Sequence, residues 1–322
     1  MTTTTPSARR IKPKEPKKVR IVALNQRGTV WWRYIVGILA VSFALFPVLF
    51  VISTAFNSLG ILDGTSLFPK HWSLDNFRHL FVDFKDPNAA DQSLPATHPP
   101  FWSWYRNSLL LAFTAAFLQC VIAAYAAFAF SRLRFRGKNA TISGLLIVQM
   151  FPQALGLVAL IAVAQRLGAI WPAVDQNTYL GLLLIYLGGA MGFNAYLIKG
   201  YFDTISTELD EAAIIDGATT AQIFFKIILP LSAPILAVVA LLSFIGLIND
   251  FLLVQTFLSL TGSGDPRNTL ATGLHTLVGD PRSSNWGVFA AGSLLASIPI
   301  VILFQFLQRY IVGGLTSGSV KG

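Results

Sequence analysis

Residues 201–233 read YFDTISTELDEAAIIDGATTAQIFFKIILPLSA, a largely polar segment between two long apolar runs. Its first half predicts a short helix that begins near Ser206 or Thr207, since a hydroxyl there can accept a hydrogen bond from a free backbone N–H. The acidic residues that follow are favoured by the positive end of the helix dipole. The helix should end at Gly217, because glycine readily takes the left-handed conformation that stops many helices.

The second half of this segment predicts another short helix, from about Thr220 to Leu229, that stops at Pro230 because proline interrupts helical hydrogen bonding. On the first helix a small and apolar face is expected. Exposed apolar patches usually mark contact sites, so the face indicates a partner, although an ordinary surface helix between two spans is the alternative. The residues of this face are Ala212, Ala213, Ile214 and Ile215.

Apolar runs dominate the rest of the chain. Of its 322 residues, 54% are hydrophobic and 12% are charged, whereas a soluble domain carries roughly a quarter of charged residues. A helix needs about 20 residues to cross the hydrocarbon core. The sequence therefore predicts an all-α integral membrane protein with six transmembrane helices. The six stretches are 33–55, 107–130, 141–165, 178–198, 235–258 and 286–310.

The distribution of basic residues predicts the orientation in the membrane. With a cytoplasmic N-terminus, 17 of the 24 Lys and Arg residues lie inside. Both termini and residues 201–233 are therefore predicted to be cytoplasmic. The net charge of +9 does not indicate nucleic-acid binding, because no basic stripe interleaves with aromatic residues. The single cysteine, Cys120, excludes an intrachain disulfide.

The chain divides into four predicted parts. Residues 1–32 are a basic cytoplasmic tail, expected to be disordered. Residues 33–106 hold the first transmembrane helix and a large external loop. Residues 107–312 hold the remaining spans together with the cytoplasmic segment 201–233. Residues 313–322 form a cytoplasmic C-terminal tail.

One spacing within residues 201–233 carries a family resemblance. Glu211-Ala212-Ala213 is followed after three residues by Gly217 and after nine more by Ile227-Ile228-Leu229-Pro230. This spacing resembles the EAA loop of ABC importer permeases, with every fixed position filled. The resemblance implies a type I permease fold in which the loop sits in a cleft of an ATPase subunit and transmits its closure. It assigns ATPase coupling to Glu211, Ala212, Ala213, Gly217, Ile227, Leu229 and Pro230.

The resemblance extends from about Asn107 to Gly322. It is greatest to carbohydrate permeases, especially the smaller membrane subunits of maltose/maltodextrin importers, through runs such as Gln149-Met150-Phe151-Pro152 and Tyr186-Leu187-Gly188-Gly189. It implies a prokaryotic cytoplasmic-membrane subunit that is not an enzyme and binds no cofactor or metal. ATP and Mg would be used by two partner ATPase subunits. The other implied partners are a second homologous membrane subunit, an extracytoplasmic sugar-binding protein and the sugar.

Asp250 is the only carboxylate inside the six predicted spans. A charge within a membrane is costly and therefore often functional. We interpret Asn249 and Asp250 as candidates that line the external end of the translocation pathway; the alternative is a position near the span end that water reaches. Many relatives in the resembled family carry Trp-Asn-Glu or Trp-Asn-Asp where this chain has Ile248-Asn249-Asp250.

The loop 259–285 is polar, rich in glycine and predicted to be external. In the resembled subunits this region reaches into the binding protein and helps to dislodge its ligand. We interpret residues 262–268 in the same way, with a plain solvated connector as the alternative. The candidate contact residues are Gly262, Ser263, Gly264, Asp265 and Asn268.

Functions of other classes have less support in the sequence. It contains neither a G-x-x-x-x-G-K-[ST] phosphate loop nor a hydrolase motif. Ion-coupled carriers usually need ionisable groups near the membrane centre, and a membrane-anchored structural protein would not need the EAA loop. The sequence therefore predicts a carbohydrate importer permease. A permease for a non-sugar solute, such as an amino acid or a metal chelate, is the closest alternative, and a secondary carrier is the next.

Overall fold

A computed structural model describes residues 31–57, 72–82, 99–189, 192–260, 262, 264–279 and 285–318. This described part is almost entirely helical, which confirms the predicted all-α class, and its one β-bridge joins Asn57 and Trp72. The chain forms two units, Met1–Val48 and Leu49–Gly322. The described part of the first unit, residues 31–48, is the beginning of a single apolar helix.

Fourteen α-helices are described, with one 3₁₀ turn at Pro172–Val174 and one π-helical turn at Phe224–Ile228. The helices are α1 (Trp31–Ala55), α2 (Asp75–Arg78), α3 (Phe101–Arg132), α4 (Lys138–Gln149), α5 (Gln153–Ile170), α6 (Tyr179–Gly188), α7 (Phe193–Phe202), α8 (Glu208–Ile215), α9 (Thr220–Ile223), α10 (Leu229–Leu231), α11 (Ala233–Ile248), α12 (Leu252–Phe257), α13 (Leu270–Thr276) and α14 (Trp286–Gly318).

Three described helices are long and apolar enough to cross a membrane: α1, α3 and the Trp286–Ile311 part of α14. Two bent pairs pass the same test, α6 with α7 at 47° and Thr220–Leu231 with α11 at 76°. Length and composition thus give three spans in the described residues, or up to five if each bent pair counts as one. The count of six and the cytoplasmic termini stay predictions.

Three predicted spans are interrupted, among them the stretch 178–198, which is divided into α6 and α7. The stretch 141–165 is divided into α4 and α5 at Pro152, which precedes α5 and disfavours a helical conformation at the residue before it. The stretch 235–258 is divided into α11 and α12, where Oδ1 of Asp250 accepts the backbone N–H of Leu253 at 3.2 Å. Such a local hydrogen bond competes with helix continuation.

The ends of the chain also differ from the predicted boundaries. Helix α1 begins at Trp31, inside the predicted N-terminal tail, whose first 30 residues lie outside the described part. Helix α14 continues to Gly318, inside the predicted C-terminal tail. Each helix therefore extends beyond the apolar run from which it was predicted.

Two clusters of buried side chains hold the unit Leu49–Gly322 together. The first includes Trp104 of α3, Phe244 of α11 and Leu274 of α13. The second includes Ala127 of α3 and Phe202 of α7. Helix α3 contributes to both clusters and packs against α7 and α11. Its alanines allow close approach of these helices, as small residues do in membrane proteins.

Candidate functional site

Helix α8 begins where the sequence predicts. The hydroxyl of Ser206 accepts a hydrogen bond from the backbone N–H of Glu208 at 3.3 Å, whereas Thr207 makes no side-chain cap. Acidic side chains occupy the first turn of the helix, where the helix dipole stabilises negative charge. The start of α8 is therefore fixed by local interactions within residues 206–211.

The turn after α8 depends on Gly217, whose φ is +82°. Its N–H donates to the carbonyl of Ile214 at 3.0 Å, and the N–H of Ala218 donates to the carbonyl of Ala213 at 2.9 Å. This pair of bonds is the Schellman motif, which satisfies carbonyls left free at a helix end. A Cβ at Gly217 would meet nothing within 4 Å, so the backbone dihedral alone requires glycine.

The second helix of the hairpin starts with a reciprocal cap. The Thr219 hydroxyl accepts from the N–H of Gln222 at 3.3 Å, and the Gln222 side chain accepts from the N–H of Thr219 at 2.8 Å. These two bonds form a capping box. The hairpin from α8 through α9 is thus closed by backbone-directed hydrogen bonds on both sides of Gly217.

The predicted stop at Pro230 is wrong by a short distance. After the π-helical turn, helical conformation continues to Leu231, and the chain bends by 76° before α11. Pro230 follows the π-helical turn directly, and its missing N–H does not end the helix there. Ser232 makes the break instead, with a buried hydroxyl that lacks a hydrogen-bond partner in the described part of the chain.

The seven coupling residues divide between two environments. Glu211, Ala212, Gly217 and Pro230 are exposed, whereas Ala213 is buried and Ile227 and Leu229 are half-buried. Within the EAA triplet, the side chains of Glu211 and Ala212 therefore point outward, and that of Ala213 points inward. The predicted small and apolar face is therefore split: Ile214 and Ile215 are exposed, and only Ala213 packs inward.

A polar cluster lies where α8 approaches the ends of α3 and α7. Oδ2 of Asp210 is 2.6 Å from Nε of Arg132. Asp203 accepts a hydrogen bond from the hydroxyl of Ser131 at 2.7 Å and pairs with Lys199. Burial raises the pKa of Asp203, but the hydrogen bonds from Lys199 and Ser131 outweigh it and hold this pKa below its ordinary value. This cluster was not predicted, because residues 131 and 132 lie about 70 positions before their partners in the chain.

The two pathway candidates have different surroundings. Asn249 is exposed and lines a cleft of about 410 Å³, together with Phe251, His275 and Ser297 among others. Asp250 faces inward: its Oδ2 accepts the hydroxyl of Tyr186 at 2.9 Å. The structure therefore brings Asn249, and not the Asp250 carboxylate, to the cleft.

Two polar residues that the sequence analysis names only within runs of the family resemblance make contacts that it did not predict. Tyr186 joins α6 to Asp250, and its carbonyl accepts from the Gln119 amide at 2.9 Å. Gln149 bridges the interruption between α6 and α7: it donates to the carbonyl of Gly189 at 3.0 Å and accepts from the N–H of Phe193 at 2.6 Å. Backbone groups without a hydrogen-bond partner are costly inside a membrane, and Gln149 pairs with two of them. In the sequence, the only sign of this role was a glutamine within an apolar run.

Glycine at position 192 is required by this bridge. A Cβ there would lie 2.0 Å from the amide nitrogen of Gln149, which is too close for two non-bonded atoms. The glutamine and the glycine therefore form one unit that closes the helix interruption.

The candidate contact residues in the second polar segment are less available than predicted. Asn268 is fully buried, and its amide donates to the carbonyls of Gly262 at 2.7 Å and Asp265 at 3.1 Å. The Asp265 side chain is 6% exposed and paired with Arg267. Gly264 is exposed and Gly262 is half-buried, whereas Ser263 lies outside the described residues. Both Asn268 and Asp265 thus shape the segment from inside, and a contact of this segment with a binding protein stays a prediction.

Contacts from three membrane-helix residues fix the same segment. Nε1 of Trp104 donates to the carbonyl of Asp265 at 3.2 Å. The Asn107 amide donates to the carbonyl of Asn268 at 3.1 Å, and the Tyr179 hydroxyl donates to the carbonyl of Arg267 at 2.6 Å. The plain solvated connector considered from the sequence does not describe this arrangement.

Known proteins share both the sequence pattern and the fold. Residues 31–317 match the family described as binding-protein-dependent transport system inner membrane component. The chain is 42% identical over 280 residues to the galactooligosaccharides transport system permease protein GanQ of Bacillus subtilis (strain 168), covering 86% of this chain and 90% of that protein. It is 40% identical over 295 residues to the maltose/maltodextrin transport system permease protein MalG of Vibrio vulnificus (strain YJ016), covering 91% and 96%.

A solved structure has the same fold at lower sequence identity. It is a bacterial ABC transporter involved in the import of the acidic polysaccharide alginate, with a TM-score of 0.69 and 21% identity. The match covers 89% of this chain and 98% of that chain. The shared architecture therefore includes nearly all of the helices described above.

Proposed function

The chain belongs to the family of inner membrane components of binding-protein-dependent transport systems, and on that premise we propose that it is the permease subunit of an ATP-driven importer that passes a carbohydrate across the cytoplasmic membrane. The carbohydrate class is supported by the identities of 42% and 40% to GanQ and MalG, each over most of both chains. Residues 107–312 would form the translocating core, beside a second homologous membrane subunit.

The observation that carries the coupling part of this proposal is the exposure of α8. The helix is capped at its start and closed by a Schellman turn, yet Leu209, Ile214 and Ile215 are 46%, 60% and 86% exposed. A well-formed helix that leaves large apolar side chains uncovered is a contact surface. We assign it to a separate ATPase subunit, which would use ATP and Mg while this chain binds neither.

The contact with an extracytoplasmic binding protein is proposed at the segment around Gly264. Since Asp265 and Asn268 are turned into the subunit, the contact would use the backbone of Gly262 and Gly264 and the exposed side chain of Arg267. Hydrogen bonding with Asp265 raises the pKa of Arg267, so this side chain is charged throughout the physiological range. The Arg267 donors that Asp265 does not use would favour a partner surface rich in hydrogen-bond acceptors.

The test is uptake of labelled sugar by the complex reconstituted into vesicles with its second membrane subunit, ATPases and binding protein. Maltose, trehalose, galactooligosaccharides and longer glucans would compete as unlabelled sugars. We expect ATP-dependent uptake that at least one of these sugars inhibits. Vesicles without ATP, and vesicles whose ATPase lacks the ability to hydrolyse it, are the controls.

The alternatives give different results in the same assay. Uptake of an amino acid or a metal chelate, with no sugar uptake, would support a permease for a non-sugar solute. Uptake that follows an imposed proton or sodium gradient without ATP would indicate a secondary carrier. Either result would overturn the carbohydrate proposal.

A further inference from the structure

We propose that the ion pair between Arg132 and Asp210 is the attachment through which displacement of α8 is carried into membrane helix α3. The proposal rests on the proposed function, because α8 receives a displacement only if an ATPase binds it. Neither residue belongs to the fixed positions of the EAA spacing. Arg132 is the last residue of α3, and Asp210 lies in the first turn of α8.

The first reason is that α8 has very few connections to the rest of the subunit. Of its eight residues, only Ala213 is buried and only Asp210 is half-buried, and the other six are exposed. Positions 210 and 213 are three residues apart and therefore share one face of the helix. In the described part of the chain these are the two side chains of α8 that are not exposed, so a movement of α8 reaches the subunit body mainly through them or along the chain itself.

The second reason is the position of Arg132 between two parts of the coupling segment. Its Nε is 2.6 Å from Oδ2 of Asp210, and its Nη2 donates to the carbonyl of Ile205 at 2.9 Å. One guanidinium thus holds both α8 and the chain that leads into it. Arginine suits this role because its donors are arranged in a rigid planar fork, which a lysine lacks.

The third reason is that the pair is largely withdrawn from water. The side chains of Arg132 and Asp210 are 10% and 14% exposed. Removal of one partner would leave the other charge poorly solvated and uncompensated. In this structure Nε and Oδ1 are buried without an aligned hydrogen bond to any described residue, so the contact is a single close approach of charges.

The two attachments differ in kind. Ala213 joins a cluster of apolar side chains that also includes Phe224 and Ile228 of the coupling segment itself. That packing is non-directional and partly moves with the hairpin. The same cluster also contains Ala127 and Phe128 of α3, so both attachments reach that helix. The ion pair differs because it is directional and joins α8 to the last residue of α3.

The experiment compares ATP hydrolysis and sugar uptake in the reconstituted complex. In Asp210→Asn and Arg132→Gln, we expect ATPase subunits to co-purify and hydrolyse ATP, while sugar uptake per ATP hydrolysed falls about tenfold, within the range of typical couplings between sites. Arg134→Gln, which changes an exposed arginine two residues away, should leave this ratio unchanged. The double variant Arg132→Asp with Asp210→Arg should restore part of it.

A cross-link tests the same proposal without relying on the charges. The chain has one cysteine, so a Cys120→Ser background with Arg132→Cys and Asp210→Cys allows a short thiol cross-linker to join α3 and α8. Uptake per ATP should be low before cross-linking and recover after it. Failure to recover, or an unchanged ratio in Asp210→Asn, would overturn the proposal. Absence of sugar uptake in the unmodified complex would instead overturn the proposed function.

Discussion

Two polar segments at opposite ends of α11 are held in contrasting ways. Helix α11, whose 16 residues are about 24 Å long, lies between them in the chain. In the coupling helix α8 only Ala213 is buried. In the segment that leads into α13, the buried residues form a nearly continuous run: Asn268, Thr269, Leu270, Thr272, Gly273 and Leu274.

The contrast shows that the polarity of a segment does not decide whether it stays exposed to a partner or packs into the subunit. Both segments contain glycine and hydroxyl residues, and both have helices with caps. The difference lies in long-range hydrogen bonds: Trp104, Asn107 and Tyr179 bind backbone carbonyls of the second segment. In the coupling helix the described side chains other than those of Asp210 and Ala213 are exposed, so it is the segment more available to another protein.

The largest expected effect comes from Gly217→Pro. Proline fixes φ near −65° and has no N–H, so it can neither adopt the observed φ of +82° nor donate to the carbonyl of Ile214. We expect the subunit to insert into the membrane but to lose its ATPase partner. Co-purification of ATPase with the tagged subunit measures this.

The matched control for that variant is Gly137→Pro. Gly137 has a φ of +84° and, like Gly217, no atom within 4 Å of an added Cβ, so the backbone conflict is the same at a different place. ATPase should still co-purify with this variant. Equal loss of ATPase co-purification from both variants would show that the effect is not specific to the turn after α8.

The next effect tests the segment that packs into the subunit, through Asn268→Ala. The substitution removes a buried amide that donates to two carbonyls, and each unsatisfied buried group costs about 1–3 kcal/mol. We expect a lower unfolding temperature in detergent and normal ATPase co-purification. Asn249→Ala, which removes an exposed amide, is the control, and similar stability of both variants would contradict the packing of this segment into the subunit.

A smaller effect is expected for Tyr186→Phe, which removes the hydrogen bond to Asp250 inside the helix bundle. Hydrogen bonds between membrane helices contribute about 0.6 kcal/mol on average. We therefore expect a slight loss of stability and no change in ATPase co-purification. A severe loss of sugar uptake with normal stability would assign Tyr186 to the pathway instead of to the scaffold.

The smallest effect concerns the pH dependence of Asp203. Its pKa in the folded protein lies below the ordinary value of 3.8, so its contribution is present above that pH and is lost as the pH falls through the lowered pKa. Because the side chain is 43% exposed, Asp203→Asn should cost no more than about 0.5 kcal/mol at pH 7. Unfolding curves of variant and unmodified subunit should converge in strong acid; a constant difference would exclude this cause.

The parts of the structure predicted correctly from sequence are those that local interactions decide. Ser206 and Gly217 act on backbone groups no more than four residues away, so the bounds of α8 follow from the residues beside them. The all-α class also follows from a local signal, the long apolar run within each segment. The coupling residues were also chosen by spacing, and their role as an ATPase contact stays a prediction.

The errors and omissions involve contacts that a single sequence does not record. Tyr186 and Asp250 are 64 positions apart, and Asn107 and Asn268 are 161 apart. Pro230 was expected to end a helix, but the helix continues past it. The preceding π-helical turn shifts the hydrogen-bond pattern, and this turn has no clear sequence signal. The burial of Asn268 depends on neighbours that only the folded chain brings near.

Helix α3 belongs to both buried clusters and ends at Arg132. Its 32 residues make a rod about 48 Å long, so a tilt of about 5° around one end would swing the other by roughly 4 Å. A stiff lever of this kind moves without unfolding, and the side-chain contacts that shift are those with α7 and α11. Modest angular motion at one surface of the bilayer would thus be sufficient to open or close a gap at the other.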